Sequence, residues 1–303
     1  MHLPVNRFAE ALKMGVTSLR DSDEPVRIAV FVDSSATPFL INTIREALVP
    51  QTTSALVRVQ MLSEQPSVKA DTDISIVISC GSEGLQQAVQ QIVVAGAPTV
   101  VVSESSVEVP FVEQDTRMLG SIASTNKTYL LEALARWILD RTEKDIAFAS
   151  NFPFMRIAAA NRIITSCALT NMATGALAFI PGSDFPVMTV AQLGMMLDLS
   201  AAFGKPLVFE RGYEAAGVVA GAFVSRALAR AISEQVPRMG FIVKALVGAA
   251  GTVAIGRTLM AVYERDVDYS RVNEVLGGAL SRARGALSSV IPAVRTAAET
   301  GRA

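Results

Sequence analysis

The sequence predicts a small α/β domain built on a parallel sheet, followed by an all-α helical bundle that contains a long apolar helical hairpin. Three observations predict this. Apolar, β-branched runs alternate with helix-like segments between Val26 and Arg141. The composition changes near residue 150, from an acidic stretch to an apolar one rich in Ala and Gly. Finally, Phe152 to Gly204 reads as two long apolar helices folded back on each other through Ile180-Pro181-Gly182-Ser183-Asp184-Phe185-Pro186.

Taken in order, residues 6–20 space Phe8, Ala11, Leu12, Val16 and Leu19 as a short amphipathic helix, ended by Asp21-Ser22-Asp23-Glu24-Pro25. Val26 to Val32 is a β-branched run that predicts the first strand. A loop from Asp33 to Thr37 leads to a helix over Pro38 to Leu48. Ala55 to Leu62, Ile74 to Ser79, Pro98 to Ser103 and a short segment at Leu119 to Ala123 predict the remaining strands. Helices are expected over Gly84 to Ala95 and Thr128 to Thr142. Continuous apolar strands alternating with helices indicate a parallel sheet covered on both faces, and in such sheets ligands bind beyond the carboxyl ends of the strands. The loops after Val32, Ser79, Ser103 and Ala123 are therefore the places to look for a site.

In the hairpin, Pro181 and Gly182 stop the first helix, Asp184 is placed as an N-cap, and Pro186 sits in the first turn of the second helix, where its missing N–H costs nothing. Gly204 ends that helix before Lys205-Pro206. Beyond Glu264 the chain becomes charged, then forms an Ala/Gly/Ser helix over Val272 to Ile291 and a tail. The expected organisation is an N-terminal helix and linker over 1–25, the α/β domain over 26–150, the helical domain over 151–264, and a C-terminal helix and tail over 265–303.

Charge divides along the same line. Residues 1–150 carry 12 Lys+Arg against 18 Asp+Glu, and residues 151–303 carry 15 against 10, so the overall −1 hides an acidic front and a mildly basic back. That excess is too small for a nucleic-acid tract, and no basic run with interleaved aromatics occurs, so no nucleic-acid partner is expected. It suits an anionic membrane surface. Cys80 and Cys167 sit in apolar runs without partners at metal-ligand spacing, and the N-terminus has no basic region followed by an apolar core. These features place the chain inside the cell, with no metal and no cofactor expected.

The order of segments in Val26 to Arg141 resembles the later parts of an Era-like GTPase domain. The pattern of an aspartate, an apolar strand, a helix, Gly-x-Pro and a Val-rich strand recurs in Asp73 to Ile78, Gly84 to Ala95 and Gly96-Ala97-Pro98-Thr99-Val100-Val101-Val102. Ser121 to Leu134 resembles that family's last loop and helix. The following region is similar to the YcjF-type GTPase-associated domain of unknown function. The residues carrying that similarity are Arg162 to Leu169, Phe179 to Pro186, Ala191-Gln192-Leu193, and Val236-Pro237-Arg238-Met239-Gly240 leading into Gly251 to Gly256. The resemblance implies a Rossmann-like or P-loop-like front domain joined to a helical module, membrane-associated in some relatives.

The nucleotide chemistry of such a domain is missing. A phosphate loop needs glycines for close backbone approach, a lysine for the β/γ oxygens and a hydroxyl for magnesium. After the first strand stands Asp33-Ser34-Ser35-Ala36-Thr37-Pro38, with no glycine, no lysine and a proline where an N–H would be wanted. Met61-Leu62-Ser63-Glu64 lacks Asp-x-x-Gly, and Ser103-Glu104-Ser105-Ser106 stands where Asn-Lys-x-Asp would be expected. Asp33-Ser34-Ser35-Ala36-Thr37 also resembles the Asp-x-Asp-x-Thr of haloacid-dehalogenase phosphatases, but Ser35 replaces their general acid. Asp33 is thus read as a loop aspartate capping the next helix, and no catalytic residue is assigned. The degenerate loop of Asp33, Ser34, Ser35 and Thr37 remains the one place where an unorthodox nucleotide- or phosphate-binding switch would act. The only histidine is His2, which leaves no base for a Ser/His/Asp or Cys/His arrangement.

Ile163 to Pro181 is a 19-residue run without charge, close to the length of a membrane span, though it contains Thr165, Ser166, Thr170, Asn171 and Thr174. Gln192 and Asp198 interrupt the second helix, and Lys244 and Arg257 interrupt Met239 to Tyr263. Small residues recur at four-residue spacing at Gly217 and Gly221, and at Gly248, Thr252 and Gly256, which lets helix backbones approach closely in either a membrane or a soluble bundle. Arg226, Arg230 and Arg238 would face anionic headgroups in the former and water in the latter. The expected function is a non-catalytic interaction module at the cytoplasmic face of a membrane, with Phe179, Ile180, Pro181, Gly182, Asp184, Phe185 and Gln192 as membrane or partner contacts. The alternatives are a soluble cytoplasmic oligomerisation module and the nucleotide switch.

Overall fold

The computed structural model describes residues 17–18, 20–177, 184–205, 216–222, 224, 227 and 240–265. Five strands form one parallel sheet: β1 (Val26–Val32), β2 (Ala55–Met61), β3 (Ile74–Ile78), β4 (Thr99–Ser103) and β5 (Leu119–Ala123), in the order β2-β1-β3-β4-β5. Period-two alternation sends β1's Val26, Ile28 and Val30 to one face and Ala29 and Phe31 to the other, and both faces are dry. This is why the strands read as unbroken apolar runs.

Connection handedness decides which helix covers which face. The sheet grows outward from β1 in both directions, so right-handed crossovers must lie on opposite sides. The helix α1 (Pro38–Ala47) leads to β2 and buries Leu40 and Ile44 against Ile28, Ile76 and Val100. The helix α2 (Leu85–Val94) leads to β4 and buries Leu85, Val89 and Ile92 against Phe31, Val77 and Val101. The β2–β3 and β4–β5 links pass over the α2 face without an α-helix, the second making only a 3-10 turn at Ser106–Glu108, and contribute Leu62, Val68, Val109 and Phe111 to the same cluster. After β5, α3 (Lys127–Leu139) starts at Asn126, whose side chain accepts the Tyr129 N–H at 3.0 Å, and covers the α1 face with Leu130 and Leu134.

Helices follow the sheet. A short helix α4 (Asp145–Asn151), absent from the sequence expectations, leads through a 3-10 turn at Pro153–Met155 into α5 (Arg156–Leu177). Then come α6 (Asp184–Ala202) and α7 (Gly240–Glu264). Gly204 takes φ +66, while Gly204 N–H donates to Ala201 O and Lys205 N–H to Ser200 O, both at 2.9 Å. That is the left-handed stop expected there. Phe148, Phe152, Met155, Ala159 and Ala202 belong to the same core as the α1 face of the sheet, so apolar packing runs without interruption across residue 150. A further cluster, with Ile164, Met195, Leu199, Phe203, Val218, Leu259 and Tyr263, holds α5, α6, α7 and residues 216–222 together. Phe179 to Gly182, most of the N-terminal helix, Arg226, Arg230, Arg238 and the C-terminal helix lie outside the described residues.

Candidate functional site

Strand order reverses between β1 and β3, so the loops leaving their carboxyl ends border the crevice where sheets of this kind bind ligands. Asp33 N–H continues the ladder by donating to Ile78 O at 2.9 Å, which sets its side chain between the two loops. The side chain is buried, at 6% exposure. One carboxylate oxygen accepts Ser34 N–H at 2.8 Å; the other accepts the hydroxyls of Ser35 at 2.5 Å and Ser79 at 2.6 Å. Ser35 Oγ in turn accepts Cys80 N–H at 2.9 Å, and Ser79 Oγ accepts Gly81 N–H at 3.1 Å.

A second layer reaches β4. Thr37, not Asp33, caps α1: its hydroxyl accepts Leu40 N–H at 3.4 Å and donates to Glu104 Oε1 at 2.5 Å. The expectation that Asp33 caps the next helix is thereby corrected. Pro38 fixes the first helical position, so the cap must be residue 37, and Asp33 is spent on the neighbouring loop instead. Glu108 accepts the Glu104 and Ser105 N–H groups at 3.1 and 3.2 Å. The Cys80 thiol lies under backbone donors of Thr37 and Glu104, and burial pushes its pKa up, the reverse of what a nucleophile needs. Ala36 and Phe39 pack onto the core beneath.

Chemically, this crevice is closed. Most of the backbone donors that a phosphate would engage already serve internal acceptors. No lysine or arginine occurs in 33–37, 79–84 or 103–108, while Asp33, Glu83, Glu104 and Glu108 do. Burial raises the Asp33 pKa, but the bonds from Ser35, Ser79, Ser82 and Ser34 outweigh it and hold the carboxyl below its ordinary value. A folded-state value under the unfolded one contributes stability that is complete above the ordinary carboxylate range and lost as pH falls through the depressed value. Chemical-denaturation midpoints followed downward from about pH 5 should show this acid-side loss in the wild type, and a shallower one in Asp33→Asn. Equal slopes would remove Asp33 from the account.

The helical region holds a second polar cluster, and it corrects the placement of Gln192 as an outward contact. Gln192 is 2% exposed, and its Nε2 donates to Thr252 Oγ1 at 2.9 Å; Asn171 Nδ2 donates to the same oxygen at 2.8 Å, and Thr252 donates to Gly248 O at 2.8 Å. The hydroxyl is saturated and ties α5, α6 and α7 at one level. Gly248 faces Met188 and Gly256 faces Ile164, with no room for a Cβ at either. Asp184 and Phe185 open α6, and Phe179 to Gly182 lie outside the described residues.

A groove of about 330 Å³ between α4, α5 and α6 is lined by Asp145, Arg162, Cys167, Ala191, Gly194 and Asp198. Its charges are already engaged: Arg162 Nε meets Asp145 at 3.0 Å and another guanidinium nitrogen donates to Leu139 O, while Asp198 accepts the Ser18 hydroxyl at 2.6 Å. Farther along α5 and α6, Leu169, Met172 and Val187 are exposed, as are Leu246 and Val253 of α7. Among the described residues one stretch, Ala245–Glu264, is long and apolar enough to cross a membrane, with mean hydropathy 1.6 and 28% of it buried. No protein-family model, no curated protein and no solved structure matches the chain.

Proposed function

We propose that the chain is a non-catalytic, membrane-associated interaction module at the cytoplasmic face, in which a pseudo-GTPase-like α/β domain carries a GTPase-associated helical bundle with an apolar hairpin. The observation that carries the non-catalytic half is the chemistry of the crevice: a buried carboxylate ties the β1 loop to the β3 loop, and residues 33–37, 79–84 and 103–108 contain no lysine or arginine. Phosphoryl transfer depends on positioning and charge neutralisation, and those three loops supply no cation for the second.

The membrane half rests on the helices. Between Ile163 and Leu177 α5 carries no charge, and Leu169 and Met172 are exposed there, as are Val187 of α6 and Leu246 of α7. Apolar groups bared at neighbouring levels of three helices suit the headgroup and acyl boundary of a bilayer. Flotation of the full chain with anionic liposomes tests this. The wild type is expected to float, and Leu169→Glu/Met172→Glu/Leu246→Glu to stay at the bottom with unchanged helicity. Absence of flotation by the wild type, or equal flotation by both, would defeat the membrane half.

A further inference from the structure

The two edges of the sheet differ. The β5 edge is five residues long and each is buried or half-buried, with Asp115 held beside it by Trp137 Nε1 at 3.0 Å and Arg141 at 2.7 Å. The β2 edge is seven residues long, contains no proline or lysine, and leaves Val59 67% and Met61 66% exposed. Short, covered edges are blunted; a long bare one is a template for another strand.

Backbone direction says what that strand must do. Val26 N–H donates to Ser54 O and Leu62 N–H to Val32 O, so the even-numbered residues of β2 spend both backbone groups on β1. In a parallel ladder the odd-numbered residues then point both groups outward. Val57, Val59 and Met61 therefore offer N–H and C=O on the free side, and their side chains share the α1 face of the sheet, to whose core Val57 packs. On the opposite face Arg58 is held by Asp71 through bonds of 2.8 and 2.9 Å, and Gln60 donates to Ser67 O at 2.9 Å, so the link to β3 is pinned inward, away from the edge.

We propose that this edge joins a second copy of the chain, β2 antiparallel to β2, across a two-fold axis at Val59 and normal to the sheet. In that register Val59 meets its own counterpart and Val57 meets Met61 of the other copy, each exchanging both backbone bonds. On the other face Arg58 stands opposite Gln60. Centring the axis on Arg58 instead sets two guanidinium groups face to face, and like charges directly opposed are destabilising. The strand is thus self-complementary in hydrogen bonding and apolar contact, and this register opposes no like charges. The assembly is independent of the helical region's proposed contact with a membrane.

A cysteine scan of the full chain in detergent tests both partner and register. Directly opposed residues in a hydrogen-bonded antiparallel pair have Cα atoms about 5.5 Å apart, within disulfide reach. Val59→Cys should give a disulfide-linked dimer on mild oxidation, while Val57→Cys and the wild type, with Cys80 and Cys167 only, stay unlinked. By light scattering the wild type should be a dimer and Val59→Lys a monomer with unchanged circular dichroism and unchanged flotation. A monomeric wild type overturns the proposal, and protection of the residue 57–61 amides from exchange in that monomer would assign the edge to another strand. A dimer that persists in Val59→Lys, or linking at Val57→Cys in place of Val59→Cys, overturns it equally.

Discussion

Asp33→Ala is expected to cost about 3 kcal/mol of unfolding free energy, the largest loss for any single polar side chain in the α/β region. The reason is what remains behind. The buried Ser79 hydroxyl, the half-buried Ser35 hydroxyl and the exposed Ser34 N–H lose their acceptor, and Ser35 and Ser79 are themselves the acceptors for Cys80 and Gly81. Asp33→Asn keeps one carbonyl acceptor but brings a donor among donors, so about half of that loss should persist. Ser79→Ala, which removes one donor and leaves the rest, should cost about 1 kcal/mol. Urea unfolding of the three variants checks the ranking. If Asp33→Ala unfolded within about 0.5 kcal/mol of the wild type, the carboxylate would not be a structural tie. An added nucleotide that raised the midpoint of the wild type but not of the variant would reopen the phosphate-binding reading.

Gly256→Ala should be destabilising by about 2 kcal/mol even though alanine gains close to 1 kcal/mol over glycine in a helix interior. The new Cβ would stand 2.6 Å from Ile164 Cγ1 and 3.0 Å from both its Cδ1 and Cγ2. Ile164 is 2% exposed and β-branched on a helix, so it has no alternative rotamer to retreat into, and α7 must move off α5 instead. Gly248→Ala meets a tighter 2.4 Å contact, but the opposing atom is the terminal methyl of Met188, a flexible side chain. Its expected cost is within about 1 kcal/mol. Ile164→Ala combined with Gly256→Ala should recover part of the loss, and a double-mutant cycle measures the coupling. Additive losses, with no recovery, would show that the two residues do not compete for the same space.

Why some of this was legible in the sequence and some was not has a physical basis. The strands were readable because burial on both faces demands continuous β-branched runs, and β1 and β5 occupy the expected bounds. The edge strand β2 shows Arg58 and Gln60 within its run because one face there meets only a loop. Helix α4 escaped because seven residues are too few to display a period of 3.6. That residues 33–37 lack the glycine and lysine of a phosphate loop is legible from residue type alone. The role of Asp33 was not readable, since Ser79 and Ser82 lie more than forty positions away and only the parallel pairing of β1 with β3 brings them near. Gln192 looked like an outward polar interruption of an apolar helix for the same reason: its partner Thr252 is sixty residues on.

The core that runs across residue 150 makes α5 a beam clamped at one end. Its first turns are set among Phe152, Met155 and Ala159 against the α1 face of the sheet, and Ala202 closes the clamp from α6. At 22 residues the beam is about 33 Å long, so a tilt of about 5° at the root sweeps the far end through about 3 Å. Load taken up at that end is therefore delivered as torque to the sheet face that carries α1. The joint that receives it is braced, because α1 begins at the loop that Asp33 ties to β3.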